Sequence, residues 1–320
     1  MPSKKRGIFY TLAAISLTVV IFVTYAAYTT QRLSEKMDAI ETRVETVNFF
    51  IKDVEKDLSK GAFIAGSRAL LSFNQFIVSN GTYISNANEK FKEAFINGTL
   101  ENKPLTLMTG STFTNWGNRI SAEASKVDIK FNFDIKGVSI TQADQWSVYV
   151  DLNLSLDIRD NKNTSYWLRD RSLTTRISII GLEDPLYVIN SNGRVTNTIV
   201  KANITDFVVG NDVSNLVTHA NKSYYIEHND SPSFLMRLEG NLNSSKIGIE
   251  SLVNLEKFKQ QGLTLKDRSI VDYIYFGTQS TTNYRINNTP EWFKIDGTPP
   301  APGPSKGEHL DIYQVRNMTI

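Results

Sequence analysis

The chain has 320 residues and carries 35 Lys and Arg against 33 Asp and Glu, a formal net charge of +2. Three of the positive charges are Lys4, Lys5 and Arg6, so the remainder is near neutral and lacks the basic footprint of a nucleic-acid binder. There is no cysteine, which excludes disulfides, thiolate metal sites, a cysteine nucleophile and a lipid-bearing cysteine.

A basic leader (residues 1–7) runs directly into an apolar stretch from Ile8 to Tyr28 that holds no charged residue. As a helix this stretch is roughly 31 Å long at 1.5 Å per residue, a match to a hydrocarbon core of about 30 Å. Residues 8–30 are therefore taken as a transmembrane helix. A cleaved secretory signal is the rival reading, since Ala26 and Ala27 are small, but such signals have an apolar region of only about 7–15 residues. Lys4, Lys5 and Arg6 precede the stretch, whereas Arg32, Glu35, Lys36 and Asp38 mix signs after it. The positive-inside rule then sets a cytoplasmic N-terminus, a single pass through the cell membrane and an extracellular C-terminal domain.

Past the membrane, Leu33, Met37, Ile40, Val44, Val47, Ile51, Val54 and Leu58 follow at alternating steps of four and three, a heptad seam. Such a seam forms an intermolecular coiled coil or packs on the protein's own body. Valine at two of the d positions favours intramolecular packing at the distal end, with self-association of the proximal part left open. Gly61 and Gly66 weaken the helix, and a second helical stretch carries Phe63, Leu70, Phe73 and Ile77 to a stop at Asn80-Gly81. A short helix from Asn86 to Ile96 closes at Asn97-Gly98, Pro104 marks a connector, and Thr112 to Lys126 is amphipathic, with Phe113, Trp116 and Ile120 on one face. Residues 31–126 are thus a helical stalk and helical subdomain.

At Val127 the period changes to two. Val127, Ile129, Phe131, Phe133 and Ile135 alternate with polar residues, as do Trp146, Val148, Val150, Leu152, Leu154, Leu156 and Ile158, which predicts long antiparallel strands with one wet face. Asp160 to Asn163 is the turn, and Leu173 to Ile179 the returning strand. Further strands are expected at Leu186–Ile189, followed by an Asn192-Gly193 hairpin turn, and at Val195–Val200. A helix is expected over Val213–Ala220 and a buried strand over Ile270–Phe276. Trp292–Ile295 and Leu310–Val315 make a final strand pair across the Pro/Gly-rich connector Thr298–Glu308. The fold class is α+β: a long N-terminal helix, transmembrane and then stalk, short helices, and a large antiparallel β-rich extracellular head over 127–320.

Ten Asn-x-Ser/Thr triplets begin at Asn80, Asn97, Asn153, Asn163, Asn203, Asn221, Asn229, Asn243, Asn287 and Asn317, and none precedes Asn80. As N-glycosylation candidates they fit an extracellular address. Signals for chemistry are sparse. The three histidines, His219, His228 and His309, form no HExxH pair, and no phosphate-cradling or nucleophile-elbow motif is present. Glu308, His309 and Asp311, joined in space by Glu227 and His228, are weak metal candidates; a polar loop margin explains them more simply. Asp128, Asp134, Asp151 and Asp157 offer oxygen ligands for calcium or, more simply, a solvated sheet face. Tyr224, Tyr225, Tyr273 and Tyr275 are candidate sugar-binding aromatics. No catalytic constellation and no cofactor follow from the sequence.

Lys5-Arg6-Gly7 followed at once by IFYTLAAISL resembles the class III (prepilin) signal of archaeal type IV pilin-like proteins. The resemblance implies cleavage between Gly7 and Ile8 by a prepilin-type peptidase and a long helix, half in lipid, packed on an antiparallel β head. Leu12 stands where many bacterial pilins carry glutamate, and Ile8-Phe9-Tyr10 replaces the polar start common in archaeal pilins. It therefore points to a minor, tip-like or non-assembling surface protein. The expected function is a membrane-anchored structural or adhesive role without catalysis, its partners being membrane lipid, pilin-like subunits and glycan. A membrane-tethered glycan- or protein-binding receptor is the alternative, ahead of a metal-dependent ecto-enzyme.

Overall fold

The structure, a computed structural model, describes residues 3–162, 165–297 and 308–320; the Asn163 triplet and residues 298–307 of the connector lie outside the described residues. Its first element, α1, is one helix of 78 residues from Ser3 to Asn80. No proline interrupts it, so no turn loses a backbone donor. It stops where Gly81 takes φ +66° and donates its amide to Ile77 O at 2.8 Å, a left-handed cap that glycine adopts without strain. The break expected at Gly61 and Gly66 does not occur. Both glycines admit neighbours instead: a Cβ on Gly61 would lie 2.6 Å from the Trp116 ring, and one on Gly66 2.7 Å from Ile177 Cδ1.

Helix α2 (Ala87–Asn97), strands β1 (Thr99–Leu100) and β2 (Lys103–Pro104), helix α3 (Phe113–Lys126) and strands β3 (Ile129–Asp144), β4 (Ser147–Asp160) and β5 (Tyr166–Ser178) follow. The Asn86 side chain caps α2 at Glu89 N, 3.3 Å away, and Gly98 ends it at φ +72°. Strands β3, β4 and β5 form a three-stranded sheet in that order. Only Gln145 and Trp146 separate β3 from β4, a connection short enough only for an antiparallel hairpin. The alternation works as the pattern requires: Val148, Val150, Leu152, Leu154, Leu156 and Ile158 are all buried while Asn153 is exposed.

After Ser178 the elements are short: α4 (Pro185–Asn190), α5 (Ser214–Lys222), β6 (Tyr225–Glu227), α6 (Phe234–Leu238), β7 (Ile249–Ser251), α7 (Leu255–Gln260), α8 (Asp272–Phe276), β8 (Asn283–Arg285), β9 (Lys294–Asp296) and α9 (His309–Ile312). The only strand pairs among these described residues are β6–β7 and β8–β9, both antiparallel. Four expected strands are therefore corrected. Leu186–Ile189 is helical because Asp184 caps Leu186 N at 2.9 Å and Pro185 occupies the first turn; Asn192-Gly193 then closes a helix rather than a hairpin, with Gly193 N on Val188 O at 2.8 Å. Val195–Val200 is extended but makes only isolated bridges such as Glu183 to Thr198. Ile270–Phe276 turns helical at Asp272, with all of α8 buried, the ambiguity inherent in a short apolar run. Leu310–Val315 contributes α9 and a turn, and β9 pairs with β8 instead.

The chain divides into two compact units, Met1–Asp57 with Arg119–Asp134 and Ser155–Arg169, and Leu58–Asn118 with Ile135–Leu154 and Asp170–Ile320. In the first, Val47, Ile51, Val54, Ile129, Phe131, Leu156 and Ile158 are buried, and Phe50 meets Phe131 edge-on at 6.2 Å. Arg43 pairs with the enclosed Asp160 and donates to Asp128 O at 2.6 Å. The heptad seam is accordingly split: its distal residues are covered, whereas Leu33, Met37 and Ile40 are 61%, 63% and 48% exposed. In the second unit Phe73, Phe91, Phe95, Phe113 and Trp116 form a run of aromatic contacts with ring centroids 4.8 to 6.4 Å apart, and a larger core gathers Leu216, Leu252, Val253, Ile270, Phe293 and Ile295.

Candidate functional site

Strand β7 is three residues long and charged at its centre, Ile249-Glu250-Ser251, yet all three are buried. Successive strand side chains point to opposite faces, so Glu250 leaves on one side and Ser251 on the other, and each enters a polar cluster of the second unit.

On the Ser251 side lies Arg237 of α6, wholly buried. Its guanidinium donates to Asp184 Oδ2 at 2.6 Å, to Asp272 Oδ2 at 3.0 Å and to Asp272 Oδ1 at 3.2 Å, and also bonds the Ile249 carbonyl. Asp272 accepts from the Ser251 hydroxyl at 2.7 Å and its amide at 3.0 Å, and Asp184 accepts from the Tyr225 hydroxyl at 2.8 Å. Arg237 thereby ties α4, α6, α8 and β7 together. Burial raises the Asp272 carboxyl, opposed by Arg237. This cluster is sealed and structural.

On the other side, Glu250 Oε2 lies 2.6 Å from His228 Nδ1 and 3.2 Å from His309 Nε2, while Tyr313 donates its hydroxyl to Glu250 Oε1 at 2.9 Å. His309 Nδ1 faces Asp296 Oδ2 at 2.8 Å, and its Nε2 also meets the Tyr273 hydroxyl at 3.1 Å. His228 Nε2 is 3.8 Å from Asp230 Oδ2. Burial alone would keep both imidazoles neutral, but Glu250 and Asp296 raise His309 to about 10, and Glu250 raises His228. The same histidines overcome burial to hold the Glu250 carboxyl well below the usual carboxylate range. Burial and nearby carboxylates push the Tyr273 phenol far up, so it stays protonated.

This cluster is open. A pocket of about 410 Å³ is lined by His228, Asp230, Tyr273, Asp296, Glu308 and His309, among others. Compared with known proteins, the chain matches no family model, no curated protein and no solved structure. The site's chemistry must therefore be argued from its own atoms.

Of the candidates named from sequence, the fold brings His228 and His309 together, with ring centroids 5.0 Å apart. Glu308 and Asp311 do not join as ligands: both pair with Arg316, at 2.6 and 2.5 Å. Glu227 turns to Trp146 Nε1 and Lys201. Asp151 accepts from Thr141 and Thr174, and Asp157 holds Arg159. Tyr225, Tyr273 and Tyr275, expected as surface aromatics, are buried, because the segments carrying them lie in the core; of these only Tyr273 lines the pocket. Glu250 and Asp296 were missed. For Glu250 the signal is a lone carboxylate between Ile249 and Leu252-Val253, the pattern of a buried charge that needs a partner; Asp296, beside Lys294 and Gly297, carries no such signal.

Proposed function

We propose that this is a single-pass membrane protein of the cell surface, pilin-like in build, whose folded body outside the membrane serves a structural or adhesive role without catalysis. One observation carries the reading: the chain has a helix long and apolar enough to cross a membrane, and the apolar segment of that helix is not buried in the protein. The large apolar side chains from Ile8 to Tyr28 are 55–70% exposed, a surface that needs lipid to cover it. Its hydroxyls suit that solvent. Thr11, Ser16, Thr18 and Thr24 donate to carbonyls of their own helix at 2.7–2.9 Å, as polar groups in hydrocarbon must. Tyr10, Tyr25 and Tyr28 lie toward the two ends of the span, where membrane interfaces favour aromatics.

Two further features support the outward-facing body. The nine triplet asparagines within the described residues, from Asn80 to Asn317, are all exposed, as glycan acceptors need to be. The basic leader precedes the span, as the positive-inside rule asks of a cytoplasmic end. Processing between Gly7 and Ile8 rests on the prepilin resemblance. Mass spectrometry of the protein isolated from membranes is expected to find Ile8 at the mature N-terminus and hexose mass on triplet peptides. An intact Met1 would remove the peptidase from this account, and a start near Ala27 would remove the anchor as well. The pocket beside His228 and His309 favours a second reading, a tethered receptor that captures a small ligand.

A further inference from the structure

The cluster around Glu250 has the composition and second-sphere order of a metal centre. We propose that His228 Nδ1, Glu250 Oε2 and His309 Nε2 bind one divalent transition-metal ion of the zinc class, with an open coordination position facing the pocket. The three ligand atoms lie within 4.8 Å of one another, although they come from three separate stretches of chain. Ligands on a tetrahedral zinc at about 2.0–2.1 Å sit about 3.3 Å apart. Glu250 Oε2 is 3.2 Å from His309 Nε2, already at that spacing, and 2.6 Å from His228 Nδ1, a gap that a shift of under about 1 Å in one buried carboxylate would open to that spacing.

What distinguishes the cluster from an ordinary buried ion pair is its outer layer. In metal sites the non-ligating nitrogen of each histidine is typically held by a carboxylate or carbonyl, which fixes the ring and its tautomer. Here Asp296 takes His309 Nδ1 at 2.8 Å, and Asp230 faces His228 Nε2 at 3.8 Å. Tyr313 fixes the remaining Glu250 oxygen at 2.9 Å. Two of the three ligands, His309 and Glu250, are thus oriented by hydrogen bonds to second groups, and a carboxylate stands near the outer nitrogen of the third, an arrangement a simple ion pair does not require.

Entry and selectivity follow from the lining. Asp230, Asp296 and Glu308 border the pocket, and no lysine or arginine lines it among the described residues. Two imidazoles and one carboxylate suit zinc, iron(II), cobalt or nickel rather than magnesium or calcium, which prefer oxygen. The Tyr273 hydroxyl, 3.1 Å from His309 Nε2, sits beside the open position, where it can donate to a water or anion on the ion. The site is independent of the membrane reading: it stands or falls on these atoms wherever the protein resides.

The test uses the full chain in detergent, without a histidine tag, stripped by chelator and titrated with cobalt(II). The expected result is one ion per chain, visible ligand-field bands typical of nitrogen and oxygen ligands in four- or five-coordination, and displacement by zinc. Asp296→Asn is expected to weaken binding by about 10- to 100-fold, and His228→Gln and Glu250→Gln by more, while Asp311→Asn, whose carboxylate belongs to Arg316, leaves it unchanged. Circular dichroism establishes which variants fold. If Glu250→Gln does not, wild-type stoichiometry with His228→Gln and Asp296→Asn still decides. No stoichiometric binding, or binding indifferent to both substitutions in folded protein, overturns the proposal.

Discussion

Arg237 shows how much of this fold rests on single residues. Enclosed with Asp184 and Asp272, it cannot be removed without leaving two carboxylates in the core. Arg237→Met is expected to destabilise the protein by about 3–5 kcal/mol, read from urea unfolding. The histidines set the pH response. His219 is buried, has no hydrogen bond to either ring nitrogen, and burial lowers it to about 4. Between that value and its unfolded value of about 6.5 only the unfolded chain takes the proton, so stability rises with pH across this window. His309 works in the opposite sense. Raised to about 10 by Glu250 and Asp296, with His228 and Tyr273 also facing it, it contributes fully below about pH 6.5 and loses that contribution as pH climbs through its folded value. Glu250, depressed by the histidines, adds to the acid limb. In metal-free protein the melting temperature should peak near pH 6.5. His219→Leu should flatten the acid limb and add about 1–3 kcal/mol near neutrality, and His309→Gln should flatten the alkaline limb. Two of these residues were visible beforehand as histidines, but not their partners. Nothing in the spacing of a single sequence shows that Glu250 and His309, 59 residues apart, meet in the fold.

The same division between local and distant causes governs the elements. Where local chemistry suffices, the pattern is legible: the strands from Val148 to Ile158, the Asn86 and Gly98 caps of α2, the stop at Gly81. Where a distant contact decides, it is not. Gly61 weakens a helix by propensity, yet Trp116 occupies the space its Cβ would fill. Gly61→Ala is therefore a test of which effect wins. Propensity alone predicts a gain of about 1 kcal/mol; overpacking predicts a loss of about 1–3 kcal/mol, and a lowered melting temperature is expected. α8 is the converse. Its apolar run fits strand or helix, and the choice falls at Asp272, which Arg237 and Ser251 hold at the helix start.

For the molecule as a whole, the sequence announced its two ends unequally. The apolar run is read directly because lipid imposes length and composition on a helix, and the structure supplies what pattern cannot, that none of the described residues covers it. The full-length protein is expected to stay with membranes through alkaline carbonate extraction. Val19→Arg, which sets a guanidinium near the middle of the run at a cost of about 2.5–3.5 kcal/mol, should shift part of it to the soluble fraction. The region after Ser178 was least legible, since its short elements gain definition from shared burial rather than from their own periodicity.

Strand β7 carries a further implication. One face of this three-residue partition is bolted to Arg237 and Asp272 through the Ile249 carbonyl and the Ser251 amide, while Glu250 projects from the other. The sealed chamber is therefore the foundation of the open one. An injury to the arginine would blunt the pocket's aim without touching any group that a visitor to the pocket could meet.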